Sequence, residues 1–121
     1  MTISKAPLAG RRVLVVEDDF NIALLMTTVL KTHGAEIIGP VGTVNAASTL
    51  VASNENIDGA VLDINLHGEM IYPVIDSLRS KGVRIVLMTG YDENAVAPGY
   101  ADVPCLQKPV ITEHLISALF G

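Results

Sequence analysis

The chain has 121 residues, half of them hydrophobic, and a formal net charge of −5. That length fits one domain, and the eight scattered Lys and Arg residues argue against direct nucleic-acid binding, which needs clustered cations. One cysteine, Cys105, excludes an internal disulfide and fits a reducing cytoplasm, and no apolar run approaches the roughly 20 residues of a membrane span.

Short apolar runs alternate with amphipathic segments. Residues 1–10 form a loosely ordered N-terminal extension without the apolar core of a signal peptide. "RVLVV" (12–16) reads as a first strand. Residues 21–33 form a helix with Ile22, Leu25, Met26, Val29 and Leu30 inward, stopped by Gly34. "AEIIG" (35–39) is a second strand. Thr43 caps a helix to about Ser53, with Ala46, Ala47, Leu50 and Val51 inward. "GAVLD" (59–63) is a third strand. Pro73 suits the first turn of a helix that ends at Lys81–Gly82. "RIVLM" (84–88) is a fourth strand. Residues 92–102 predict a weak helix, because Pro98 and Gly99 interrupt it. "VPCLQ" (103–107) is a fifth strand, placed at an edge because Pro104 cannot donate to a ladder. Residues 111–120 form a last helix with Ile111, Leu115 and Leu119 on one face. Near-continuous apolar strands between helices predict an α/β fold with a parallel sheet covered on both faces. Such sheets bind ligands beyond the carboxyl ends of their strands.

The polar residues at those ends carry the chemistry. The first strand runs into Glu17, Asp18 and Asp19, the third ends in Asp63, and Thr89 and Lys108 follow the fourth and fifth. Crowded carboxylates repel and resist ionisation unless neutralised. Mg2+ fits this need, since it takes one or two carboxylates, keeps waters and accepts a phosphate oxygen. Asp63 can then act as a nucleophile toward a phosphoryl group, with Lys108 and Thr89 facing the phosphoryl oxygens. A solvated acidic loop is the competing reading of Glu17–Asp19, and the conjunction of polar residues at four strand ends weighs against it. Cys105, mid-strand, reads as a small buried hydrophobe. His33 and His114 read as surface helix residues and His67 as a loop residue. Leu24, Ile116 and Phe120 fall off the core faces and read either as scattered surface residues or as a docking face.

The pieces "VLVVEDD", "VLDINLHGE", "VLMTGY" and "LQKPV" resemble the response-regulator receiver domain of two-component signalling, over nearly the whole chain. The resemblance implies a flavodoxin-like, doubly wound (βα)5 fold with strand order 2-1-3-4-5, spanning 1–121 with no output domain. It implies that Asp63 is the phosphoacceptor and that Thr89 and Lys108 bind the phosphoryl group. Asp18 is implied as the direct ligand of Mg2+ (Mn2+ or Ca2+ substituting), Glu17 as acting mainly through water, and Asn65 as offering its backbone carbonyl. Tyr91 would flank the phosphoryl group, and Thr89 would draw Gly90 and Tyr91 as it moves, repositioning residues 91–102. The Lys108–Pro109 bond would be cis. Two positions depart from the usual pattern. Cys105 stands where most receivers carry an aromatic switch residue, and His67 where many have proline, which predicts a looser loop after Asp63.

A narrower likeness, "GEMIYPVIDSLRSKGVRIVLMTGYD", is to the receiver subgroup named for the motif Phe-Ala-Thr-Gly-hydrophobic-Tyr, matched here only at the centre of Leu87-Met88-Thr89-Gly90-Tyr91-Asp92. It implies a stand-alone cytoplasmic regulator served by a histidine kinase, of the HWE type, or by a phosphotransfer protein, and acting by protein contact or as a phosphate sink. The enzyme alternative is a haloacid-dehalogenase-like phosphatase, which also uses an Asp nucleophile and Mg2+. That class has its nucleophile after the first strand and an acid two residues on, where this chain has Asn65. A nucleotide-binding module fails because no Gly-rich phosphate loop follows the first strand.

Overall fold

A computed structural model describes residues 6–90 and 96–121. The elements run β1 (Arg12–Val16), α1 (Phe20–Thr32), β2 (Glu36–Val41), α2 (Val44–Ser53), β3 (Gly59–Asp63), β4 (Asn65–Leu66), β5 (Glu69–Met70), α3 (Tyr72–Ser80), β6 (Arg84–Thr89), β7 (Cys105–Gln107) and α4 (Thr112–Phe120). Five of the strands form a parallel sheet in the order β2-β1-β3-β6-β7. These are the first to fifth strands read from the sequence, in the doubly wound order 2-1-3-4-5. The extra pair β4–β5 is a small antiparallel hairpin between β3 and α3. Among the described residues, no helix is long and apolar enough to cross a membrane.

The central strands are apolar on both faces because both faces are covered. Leu14, Val16, Ala60, Leu62, Ile85 and Leu87 pack with α2 and α3, while Val13, Val15, Val61, Val86 and Met88 pack with α1 and α4. Successive residues thus alternate between two cores, as the two-residue period of a strand demands. The helix starts follow the chemistry of their first turns. Asp19 Oδ1 accepts from the Ile22 amide at 3.1 Å, and Thr43 Oγ1 accepts from the Ala46 amide at 3.1 Å. Each satisfies an amide that the helix itself leaves unpaired. Pro73 sits in the first turn of α3, where its missing N–H is no loss.

Several expectations change. Residues 6–10 are not loose: Leu8 is fully buried against α1, and its amide donates to the His33 carbonyl at 2.8 Å. Gly34, at φ +100, lets this segment approach, since a Cβ there would stand 2.9 Å from the Ala9 nitrogen. β2 continues past Gly39 to Val41 through a register shift opposite Leu14 and Val16. β7 starts at Cys105 rather than Val103, although the Pro104 carbonyl still accepts from Leu87. Leu25 is 58% exposed and Ile111 54%, because the buried stripe of α1 narrows to Ala23, Met26 and Leu30 and Ile111 lies just before α4. Residues 92–95 of the expected weak helix lie outside the described residues, and 96–102 form turns. Those turns are tied to α3. The Ala97 amide donates to the Tyr72 hydroxyl, the Tyr100 hydroxyl donates to Asp76, and Arg79 reaches both the Gly99 carbonyl and Asp102.

Leu8 belongs to the same core as β1 and α1. Leu8→Ala is therefore expected to lower the unfolding free energy by about 2–5 kcal/mol, the range for a buried leucine, as measured by urea denaturation. A change within error would return this segment to the solvent.

Candidate functional site: a carboxylate cluster at the carboxyl edge of the sheet

β1, β3, β6 and β7 deliver polar groups to one edge. Glu17 follows the last residue of β1, Asp63 ends β3, Thr89 ends β6 and Lys108 follows β7. Oxygens of Glu17, Asp18 and Asp63 all lie within 4.8 Å of one another. Glu17 and Asp63 are each only 3% exposed, and Thr89 is also buried. Lys108 reaches between the two buried acids, with Nζ donating to Asp63 Oδ2 at 3.0 Å. The same Nζ lies 2.6 Å from Glu17 Oε1, a close ion pair. The Lys108 amide donates to the Thr89 carbonyl at 2.9 Å, which locks the lysine to the end of β6. The Lys108–Pro109 bond is cis, as the resemblance implied, and Gly39–Pro40 is a second cis bond.

One lysine does not balance three acids. Burial, and then the facing Asp63, push the Glu17 carboxyl up to about 7 against the pull of Lys108. Burial disfavours the Asp18 carboxylate too, but the bond from Glu17 and the charge of His67 outweigh it and hold Asp18 below its ordinary value. Burial also opposes the Lys108 ammonium, and its bonds to Glu17 and Asp63 more than reverse this, so that its pKa is raised. The cluster is thus arranged to hold extra positive charge, as a proton or as a cation. An all-oxygen set of three carboxylates, two of them buried, fits a hard divalent ion.

The remaining predicted residues divide. The Asn65 amide donates to Asp63 Oδ1 at 3.3 Å, while its side chain accepts from the Gly68 amide at 2.6 Å. Asn65 therefore braces the site and the hairpin turn together. Gly90 adjoins Thr89 at the end of β6, and Tyr91 lies outside the described residues. Cys105 is exposed rather than buried, since alternation along the edge strand turns Leu106 toward the core and Cys105 and Gln107 away. Its sulfur is still partly screened. That burial pushes the thiol up, against a hydrogen bond with Thr89.

Three features were not anticipated. Asp19 is spent on capping α1, a role that its place three residues before Ile22 could have signalled. The loop after Asp63 is tighter than expected, a two-residue hairpin turn with His67 at φ +53 and Gly68 at φ +90. The turn brings His67 Nδ1 within 2.6 Å of Asp18 Oδ2. An apolar groove of about 320 Å3 also opens beside Lys108, lined by Ile22, Leu25, Met26, Pro109 and Val110. Exposed Phe20, Leu24, Leu25 and Ile111 add to the apolar surface of this part of the chain. Ile116 and Phe120, expected among the exposed apolar residues, are partly buried against the core.

A doubly wound parallel sheet with a carboxylate cluster at its carboxyl edge defines a class of α/β module that binds charged ligands there. No family model and no curated protein matches the chain, but solved structures do. It is 34% identical to SdrG from Sphingomonas melonis Fr1, covering 90% of this chain and 92% of that one, with a TM-score of 0.81. It is 31% identical to the BeF3-activated conformation of SdrG from Pseudomonas melonis Fr1, covering 97% and 96%, with a TM-score of 0.73. A response regulator receiver protein from Sinorhizobium medicae WSM419 shares the fold at 23% identity, with a TM-score of 0.77 over 93% of both chains. The chain belongs to the response-regulator receiver family.

The Glu17 shift carries a sign. The folded carboxyl holds its proton up to about 7, whereas the unfolded one releases it near 4.3. Between these values the folded state binds more protons, so stability falls as pH rises. With divalent ions chelated, the melting temperature is expected to fall from pH 5 to pH 8. Glu17→Gln should flatten that slope, because the amide is neutral throughout. An unchanged slope in the variant would assign the titration to another group.

Proposed function

We propose that this receiver domain accepts a phosphoryl group on Asp63 from a phosphohistidine of a histidine kinase or phosphotransfer protein. The observation that carries the reading is the Lys108 bridge to Asp63 and Glu17 at the edge of the sheet. Glu17, Asp18 and Asp63, with the Asn65 carbonyl, would hold a divalent ion such as Mg2+, whose charge supplies neutralisation of the phosphoryl oxygens. The rest falls to the chain's own groups. An Asp63 oxygen forms the bond to phosphorus as the donor's P–N bond breaks, and the electron pair leaves with the donor imidazole. Lys108 then exchanges part of its contact with Asp63 for the new phosphoryl oxygens, as a compact point charge suited to them. The Thr89 hydroxyl donates a further hydrogen bond. Tyr91, two residues beyond Thr89, would shield the acyl phosphate from water.

The apolar groove beside Lys108 supports docking of the donor. An apolar partner surface on Leu24, Leu25 and Ile111 would seat a phosphohistidine over the carboxylates. The centre of the Met88-Thr89-Gly90-Tyr91 stretch supports a place among the regulators served by HWE-type kinases in the cytoplasm. That SdrG has a BeF3-activated conformation supports the same chemistry here, since beryllofluoride mimics a phosphoryl group on a carboxylate. With Cys105 in place of an aromatic ring, the report of phosphorylation would leave through Thr89, Gly90 and the segment after them.

Acetyl phosphate with Mg2+ is expected to add one phosphoryl group, and Asp63→Asn to abolish the addition, as read by intact mass. Equal labelling of the variant would overturn the assignment. Separately, Asp18→Ala should remove Mg2+ binding in a calorimetric titration. Asp19→Ala should spare binding and lower stability by about 1 kcal/mol, the usual cost of a lost helix cap. The reverse pattern would move the ion one residue along the loop.

A further inference from the structure

The β4–β5 hairpin ties two acids of the cluster to each other. Its turn runs through His67 at φ +53 and Gly68 at φ +90, the left-handed pair that a two-residue turn needs. At its base the Asn65 amide donates to Asp63 Oδ1 at 3.3 Å, and Asn65 Oδ1 accepts from the Gly68 amide at 2.6 Å. At its tip His67 Nδ1 lies 2.6 Å from Asp18 Oδ2. The His67 amide is a second donor to that carboxylate. Burial disfavours the charged Asp18, and the bond from Glu17, the charge of His67 and this amide outweigh it. The short hairpin thus begins on Asp63 and ends on Asp18.

Resting on the cation site proposed above, we infer that His67 is a positioning residue, whose ring holds the Asp18 carboxylate in place against Asp63 before a divalent ion arrives. The ring acts through Asp18 and is not itself a ligand. The need for such a hold follows from the fold. Asp63 ends β3 and is fixed by the sheet, whereas Asp18 lies two residues past Val16, the last residue of β1. No strand ladder sets its side chain. Left to itself, that carboxylate has to be ordered by the ion, and the lost rotamer freedom is subtracted from binding. A hydrogen bond from His67 to the ionised acid is charge-assisted and orders the side chain on folding. An ionised carboxylate offers about four lone-pair positions, so a donor on Oδ2 leaves room for a cation. Carboxylate ligands braced in this way are the general pattern at metal sites.

The test is calorimetric titration of Mg2+ into the full chain at one pH, for the wild type, His67→Gly, His67→Asn and Asp18→Ala. Glycine adopts the positive φ without strain, so His67→Gly removes the ring and keeps the turn and its amide. Asparagine also tolerates that φ. Its Nδ2 is bonded to Cγ, as Nδ1 is in histidine, so His67→Asn puts the donor back with a group that binds cations poorly. The expected result is about tenfold weaker Mg2+ binding in His67→Gly, in the range for a lost partner of a metal ligand. His67→Asn should recover most of that loss, which a merely structural role of the ring does not predict. Wild-type or tighter binding in His67→Gly would overturn the inference, and so would an equal loss in both His67 variants. Retained binding in Asp18→Ala would instead overturn the carboxylate site itself, and the inference with it.

Discussion

Three carboxylates, two of them buried, and one ammonium share a corner of this molecule, and most of its other features answer to that imbalance. Glu17 and Asp63 are each 3% exposed, yet among the described residues Lys108 is the only cation touching both. Burying like charges so close together is unfavourable unless something neutralises them. In the metal-free protein burial, and then the facing Asp63, push the Glu17 carboxyl up to about 7, so that a proton can supply the missing charge below that pH. The surrounding fold holds these groups together. β1 and β3 are adjacent in the sheet, so their carboxyl ends cannot separate. Lys108 is fixed by the bond from its own amide to the Thr89 carbonyl. A divalent ion would relieve the repulsion, and a phosphoryl group on Asp63 would turn that carboxylate into an ester-like acyl group with its charge moved outward.

The same geometry separates the roles of three consecutive acids. Glu17 points inward beside Lys108, Asp18 faces the outer rim and His67, and Asp19 turns back to cap α1. The cap joins the site mechanically to α1, whose exposed Leu24 and Leu25 belong to the apolar surface beside the site. On the other side, residues 96–102 are tied to α3 through Tyr72, Tyr100 and Arg79. The Tyr72 and Tyr100 rings lie 4.5 Å apart, adding an aromatic contact to those hydrogen bonds. Any rearrangement that starts at Thr89 must therefore be absorbed before this anchored stretch or break its contacts with α3.

The sheet was legible in the sequence because its central strands are continuous apolar runs, and only strands covered on both faces need that pattern. The four strand ends were legible because charged and hydroxyl residues stop those runs abruptly. What stayed hidden depended on geometry that composition does not encode. Leu8 looks like part of a tail, and only its contact with α1 makes it core. Leu25 has helical spacing, but only Ala23, Met26 and Leu30 of α1 are buried and Leu25 faces outward. Cys105 looks buried in a strand, but an edge strand exposes alternate residues. His67-Gly68 is a weaker turn signal than Asn-Gly, so the hairpin and the reach of His67 to Asp18 came only with the structure.

The central claim is that the buried cluster lacks one positive charge and exchanges a proton for a divalent cation. Calorimetric titration of Mg2+ in buffers of different ionisation enthalpy measures that exchange directly, since metal binding to a protonated ligand releases the proton. The account predicts release of close to one proton per ion near pH 6, below the Glu17 value of about 7, declining toward none by pH 9. Binding without proton release at pH 6 would contradict it.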